Sequence, residues 1–417
     1  MRQGPDRREF LAGGLAGTAL LPRAGRGQLV APPASDKKVA AIVTTYGRYS
    51  HADNIVTRFM EGWSIAGKSY PPPCRVASLY IEQVGDTDIG RPLAKRWKIP
   101  VFKTPAEALT LGGDKLAVDG VLIVAEHGKY PVNDKGQILY PRRRLFGEVV
   151  KVFRDSKRAV PVFNDKHLSW SWKEAKWMYD RARELGFPMM AGSSVPVTWR
   201  RPDLRPPLGV EWREVLSVGY SHFEVYGFHT LEALQVMAER RKGGETGVKA
   251  VQCLEGPAAW KAADEGRWNR RLLEAALRRV PRRGLGRVEE EDAKALVYLV
   301  EYRDGLRGTV LLLNGHVQDF CFAAKLKGEA KPSSCLFYLP APPGAKYFDC
   351  LVANIEKLLE TGRPPYPVER TLLTGGTLDA AMESHHRHAR TETPELDVRY
   401  TAPADSGFVR GGVAAPV

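Results

Sequence analysis

Cysteine is scarce and scattered: five residues in 417, at positions 74, 253, 321, 335 and 350, with no C-x-x-C pair and no metal spacing. That excludes a zinc ribbon or finger and a dithiol redox centre. The odd number also excludes a complete disulfide framework, leaving Cys321 and Cys335 as the nearest pair for a single bridge and the others as core residues. Nucleic-acid signatures are missing too: there is no RNP-like aromatic motif and no helix-turn-helix pattern. The net charge of +14 is spread along the chain, apart from Arg142–Arg144 and arginine pairs at 240–241, 270–271, 278–279 and 282–283. No nucleic-acid partner is expected, and an acidic sugar or an anionic surface accounts equally well for the charge. The most informative absence follows the first strand. KKVAAIVTTYGRYSHADNI (37–55) begins as a strand and turns helix-like from about His51, the layout of a nucleotide-binding unit, yet only Gly47 stands where G-x-G-x-x-G belongs. Cβ atoms in that turn hold the backbone away from a ligand's phosphates.

What is present is an ordinary globular composition, 43% hydrophobic and 26% charged, in a chain long enough for two domains with proper cores. Asp6 to Leu11 (D-R-R-E-F-L) leads into AGGLAGTALL, which is too short to span a membrane. A charged start with paired arginines before a brief apolar stretch is the form of a twin-arginine export signal, so a periplasmic or secreted location is expected. No stable membrane span is expected beyond it. Residues 1–36 are assigned to signal and linker.

From 37 to 194 strands and helices alternate. VASLYIEQ (76–83), VDGVLIVAE (118–126), AVPVFND (159–165) and PMMAGSS (188–194) read as strands. RPLAKRWKIP (91–100), TPAEAL (104–109), LFGEVVKVFRDS (145–156) and SWKEAKWMYDRARELG (171–186) read as helices, with Thr104 and Gly186 as end signals. That alternation predicts a Rossmann-type parallel sheet. From 195 to 400 the strands lengthen and alternate, as in ALVYLVEY (295–302) and GTVLLLNG (308–315). A mostly antiparallel sheet is expected there, with helices at 224–241, 348–361 and 368–384 packed on it, and residues 401–417 as a tail. The fold class is thus α/β followed by α+β, with the site in the cleft between the domains. An open sheet face would suit a homo-oligomer.

Five segments, in order, carry a family resemblance: RPLAKRWKIPVFKTPAEAL, VDGVLIVAEHGKYP, PVFNDKHLSWSWKEAKWM, YGFHTLEAL and ETGRPPYPVERTLLTGGTLDAAMES. From about Lys37 to Tyr400 the chain resembles the Gfo/Idh/MocA oxidoreductases, the group of glucose–fructose oxidoreductase and inositol dehydrogenase. The resemblance implies that Lys166, matching the lysine of a Glu-Lys-Pro motif, holds the reacting oxygen, and that His229 is the general base with Glu232 one helical turn on. Asp165 stands where Glu is usual, His167 where Pro is usual, and Val225 where an acid is usual. For the cofactor, NAD or NADP, the implied set is Thr44, Thr45, Gly47 and Arg48 in the first turn, Glu82 on the ribose, and Glu126, His127 and Asp165 at strand ends. Glu82 favours NAD.

The implied activity is that of an exported NAD(P)-dependent oxidoreductase acting on a sugar, polyol or glycoside. Its cofactor would be tightly bound and recycled in place, which extends to redox-neutral glycoside cleavage. The alternative is a secreted carbohydrate-binding protein that lost its cofactor on the same fold. A metal site from His222, His229 and a carboxylate is weaker still, because such spacing is common by chance. The His385–His388 cluster reads as a helix C-terminus rather than a ligand set.

Overall fold

The structure, a computed structural model, describes residues 32–65, 67–281, 284–340 and 345–409. The twin-arginine segment lies outside them. The first domain holds β1 (Lys38–Val43), α1 (His51–Val56), β2 (Arg75–Ile81), α2 (Gly90–Trp97), β3 (Val101–Phe102), α3 (Pro105–Thr110), β4 (Gly120–Val124), α4 (Arg142–Ser156), β5 (Val162–Asp165), α5 (Trp172–Leu185) and β6 (Met189–Gly192). Its sheet is parallel throughout, in the order β3-β2-β1-β4-β5-β6. β1, apart from Lys38, and the whole of β4 are buried on both faces, which is why their sequences run apolar without alternation. Val43 pairs with Ile81 on one side and Val124 on the other, so the carboxyl ends of β1, β2 and β4 lie level. Thr44, Glu82 and Glu126 emerge side by side.

The second domain holds β7 (Trp199–Arg201), β8 (Trp212–Gly219), α6 (Phe223–Ala238), β9 (Val248–Glu255), α7 (Pro257–Asp264), α8 (Arg270–Leu277), β10 (Leu296–Tyr302), β11 (Arg307–Leu312), β12 (Phe320–Leu326), β13 (Ser333–Tyr338), α9 (Tyr347–Thr361), α10 (Val368–Arg387) and β14 (Thr391–Glu392). Eight strands form one sheet, β14-β9-β10-β11-β8-β12-β13-β7. Only β8 and β11 pair in parallel. No helix among the described residues is long and apolar enough to cross a membrane.

Four expectations need correction. The helix expected at 348–361 forms as α9, but Phe348, Leu351, Ile355 and Leu358 pack with β1 and α1 of the first domain rather than on the second sheet. An amphipathic pattern shows that a helix has an apolar face, not which sheet the face covers. The second sheet is not an open face throughout, because α8 packs Leu272, Leu273 and Ala276 against β8, β12 and β13. The tail is tied down as far as it is described: Val409 N–H donates to the Val197 carbonyl at 3.1 Å, and Phe408 is buried with the Arg200 guanidinium 3.9 Å from its ring centre. Finally, all five cysteines are buried and free. Cys335 pairs in register with Phe322, one residue from Cys321, so the two thiols leave opposite faces of the sheet.

Candidate active site

Three non-glycine residues with left-handed backbone sit at the carboxyl edge of the first sheet: Tyr49 (φ 63°), His127 (φ 68°) and Lys166 (φ 63°). Such a conformation costs about 1–3 kcal/mol and persists where surroundings enforce it, often at functional sites. Lys166 follows β5 directly, and its backbone still pairs with Gly192 at the end of β6, N–H to carbonyl both ways at 3.1 and 3.2 Å. The left-handed turn breaks strand alternation. Asp165 and Lys166, which a strand would send to opposite faces, both reach the crevice.

Lys166 Nζ donates to His229 Nε2 at 2.8 Å and lies 3.4 Å from a Glu126 carboxylate oxygen. α6 presents His229 and, one turn on, Glu232. With Nε2 accepting from the ammonium, Nδ1 carries the imidazole proton and faces the Ser193 hydroxyl at 2.9 Å. Ser193 in turn donates its hydroxyl to Glu232 Oε2, and its amide to Oε1 at 2.8 Å. The result is one continuous hydrogen-bonded chain, Lys166–His229–Ser193–Glu232, leading from the crevice into the core.

The electrostatics suit proton transfer. Burial, reinforced by the adjacent Lys166 cation, holds the His229 imidazole well below its ordinary value, so it is a neutral base. Burial pushes the Glu232 carboxyl up to about 7, against the lowering effect of the Ser193 hydrogen bonds. Burial would also raise Glu126, but Lys166 and Arg142 outweigh it and hold that carboxyl well below the usual range. Glu126 is thus a fixed anion that steadies the lysine.

The raised Glu232 value has a measurable consequence. Between the ordinary value of 4.5 and about 7 the folded chain keeps a proton that the unfolded chain has released. Its contribution to stability is complete below about 4.5 and is lost as pH rises through about 7. Thermal midpoints measured across that window should fall more steeply for the wild type than for Glu232→Gln. A second test concerns Gly192, whose φ is +120° and where a Cβ would lie 2.9 Å from Glu232 Oε1. Gly192→Ala should cost about 1–3 kcal/mol in chemical denaturation and displace the carboxylate.

Lys166, His229, Glu232 and Glu126 are therefore gathered in one cluster, with Asp165 and His127 beside it. Three participants were not singled out from sequence. Arg142, first of the arginine run, is fully buried and ion-paired to Glu126, where a run of arginines reads as a solvated patch. Ser193 closes the sixth strand, and AGSS carries no distinctive signal. His51 opens α1, and its Nδ1 lies 2.7 Å from Asp165 Oδ2. Where proline was usual, His167 is buried and donates Nδ1–H to the Ser169 carbonyl at 2.8 Å, a structural turn contact. No cluster of three metal-ligating side chains occurs among the described residues.

The first turn does not fit a dinucleotide. Thr44 is fully buried and donates its hydroxyl to the Glu126 carbonyl at 2.9 Å, so it is not offered to phosphate. Thr45 is half-buried beside the Gly128 turn, and Arg48 is exposed near the Tyr49 ring. A Cβ on Gly47 would meet no atom of the chain closer than the Thr87 carbonyl at 3.7 Å. The Asp53 carboxylate takes the Tyr49 amide at 2.7 Å, placing a negative charge where a pyrophosphate would bring its own. Glu82 is held by Arg144 and by the Tyr130 hydroxyl at 2.8 Å. Gln83, beyond β2, exchanges two hydrogen bonds with the backbone of Lys129, beyond β4, at 2.9 and 3.2 Å. Because β1 lies between β2 and β4, this clasp runs across the end of β1, at the topological switch point.

No protein-family model matches the chain, and no curated protein matches it in sequence. Solved structures do resemble it in shape. GenD2 from gentamicin A biosynthesis, in complex with NAD, is 14% identical with a TM-score of 0.51, covering 87% of this chain and 99% of its own. The myo-inositol 2-dehydrogenase of Lactobacillus plantarum is 10% identical with a TM-score of 0.52, over 86% and 99%. The scyllo-inositol dehydrogenase of Lactobacillus casei, with NAD(H) and scyllo-inositol bound, is 9% identical with a TM-score of 0.51, over 86% and 99%. At these identities the likeness is one of fold.

Proposed function

We propose that the chain is an enzyme of the Gfo/Idh/MocA oxidoreductase group that acts at a hydroxyl of a sugar, polyol or glycoside. The observation that carries this reading is the 2.8 Å bond between Lys166 Nζ and His229 Nε2, backed by Ser193 and Glu232 in a buried chain. Lys166 orients the substrate oxygen and favours its anionic form. His229, kept neutral, accepts the hydroxyl proton at the nitrogen it shares with the lysine and releases its Nδ1 proton toward Ser193 and Glu232. A carbohydrate-binding protein without chemistry gains nothing from four titratable or hydroxylic side chains buried in one line.

The resemblance in sequence and the NAD seen in fold neighbours both support a nicotinamide partner for this chemistry, whereas the first turn, as built, opposes one. The proton centre stands independently of that question. Purified protein should turn over a member of a panel of sugars, polyols and glycosides, assayed with and without added NAD or NADP. His229→Gln should abolish that turnover; unchanged rates would overturn the reading. Export belongs to the same proposal, on the strength of D-R-R-E-F-L. Replacing Arg7 and Arg8 by lysine should leave the chain in the cytoplasmic fraction of a host with twin-arginine export.

A further inference from the structure

The crevice at the carboxyl edge of the first sheet is crossed twice by the chain's own side chains. On one side the Gln83–Lys129 clasp passes over β1. On the other, His51 starts the helix after β1 yet bonds to Asp165 at the end of β5. The strand between them is β4, so the imidazole passes over its end, with its ring centre 5.4 Å from that of His127. These are the positions along which a dinucleotide lies in an open sheet of this order.

The crossing leaves a second acid–base group facing the first. An Asp165 carboxylate oxygen accepts the Nδ1 hydrogen of His51 at 2.7 Å, which orients the ring and leaves Nε2 as the nitrogen available to a ligand. The Asp165 side chain is fully buried, and its second oxygen has no partner. His51 and His229 keep 15% and 11% of their side chains exposed. One end of the site therefore accepts a proton, at His51. The other end donates one, at the Lys166 ammonium, held in place by His229 Nε2.

We propose that this crevice is a dinucleotide-free acid–base site in which His51, oriented by Asp165, is a catalytic residue working opposite the Lys166–His229 pair on a hydroxy-carbonyl compound of the sugar class. The inference rests on the proposed proton centre and extends it. The C–H bond beside the carbonyl breaks, and its proton passes to Nε2 of His51. The electron pair forms the carbon–carbon double bond of an enediol while the carbonyl oxygen takes a proton from Lys166. Return of the proton from His51 to the former carbonyl carbon, and of the proton on the neighbouring oxygen to Lys166, gives the aldose–ketose isomer. Atoms and charge balance with no oxidant or reductant, so the step needs no hydride carrier.

The test uses the full chain. Released supernatant after denaturation is assayed for NAD and NADP by mass spectrometry, and native protein is incubated in D2O with glucose, fructose or glucuronate while proton NMR follows loss of the C–H signal beside the carbonyl. Expected are no bound dinucleotide and exchange without added cofactor, slowed about 10²-fold or more in His51→Gln with unchanged circular dichroism. A stoichiometric dinucleotide would overturn the inference whatever the variant does. So would exchange as fast in His51→Gln as in the wild type, or none with any of the three sugars. NAD-dependent alcohol oxidation lost in His229→Gln but kept in His51→Gln would sink this inference and leave the proposed function standing. Indifference to both His229→Gln and Lys166→Met would sink the proposed function with it.

Discussion

Lys166→Met is expected to lower turnover by about 10²–10⁴-fold on whichever sugar, polyol or glycoside the wild-type chain converts fastest. Methionine keeps the length and apolar stem but removes the cation that touches His229 Nε2. The substrate oxygen loses its donor, while burial still holds the His229 imidazole below its ordinary value without the further lowering by the lysine. Glu126 keeps Arg142 as a partner, so its charge is not stranded, and thermal unfolding should change far less than rate. A drop smaller than about tenfold would remove Lys166 from the chemistry.

Glu239→Ala should cost about 3–5 kcal/mol of stability in chemical denaturation. Glu239 stands just beyond α6 and takes two hydrogen bonds from the Arg370 guanidinium of α10, at 2.6 and 2.8 Å, and a third from the Tyr400 hydroxyl at 2.9 Å. Both charged side chains are almost wholly buried. Removing one leaves the other uncompensated in a medium that cannot solvate it, which is costlier than the pair itself is stabilising. The double replacement Glu239→Leu with Arg370→Met should accordingly be closer to wild type than either single change. Because the pair ties α10 to the helix bearing His229, the single variants should also impair activity without touching the site. Additive losses in the double variant would contradict this account.

Much of the fold was legible. The apolar run at 39–43 reads as an opening strand and 118–126 as a buried one, and Thr104 with Glu107 closes a capping box on α3 as residues of those types do locally. Lys166 and His229 were found through the order of weak motifs, although 62 residues separate them in the chain. Other members of the site were not legible, for physical reasons. Arg142 sits in a triplet of arginines whose second and third members are exposed, and nothing local distinguishes the one that turns inward. Ser193 gains its role only because β6 ends beside α6, and His51 only because β5 ends within reach of α1.

The sequence by itself determined the strands and helices of the first unit, several of the second, and that a parallel unit precedes a mostly antiparallel one. It also determined the loss of the glycine fingerprint, since composition in the turn after β1 is local. Tertiary structure alone decided that α9 covers the first sheet, that α8 packs over β8, β12 and β13, and that Gln83 clasps Lys129 across β1. The reason is common to all three. Hydrogen bonding along the backbone and the period of apolar residues are local quantities, whereas which face meets which, and whether a charge ends in water or beside its opposite, depends on segments far apart in the chain, 46 residues for Gln83 and Lys129.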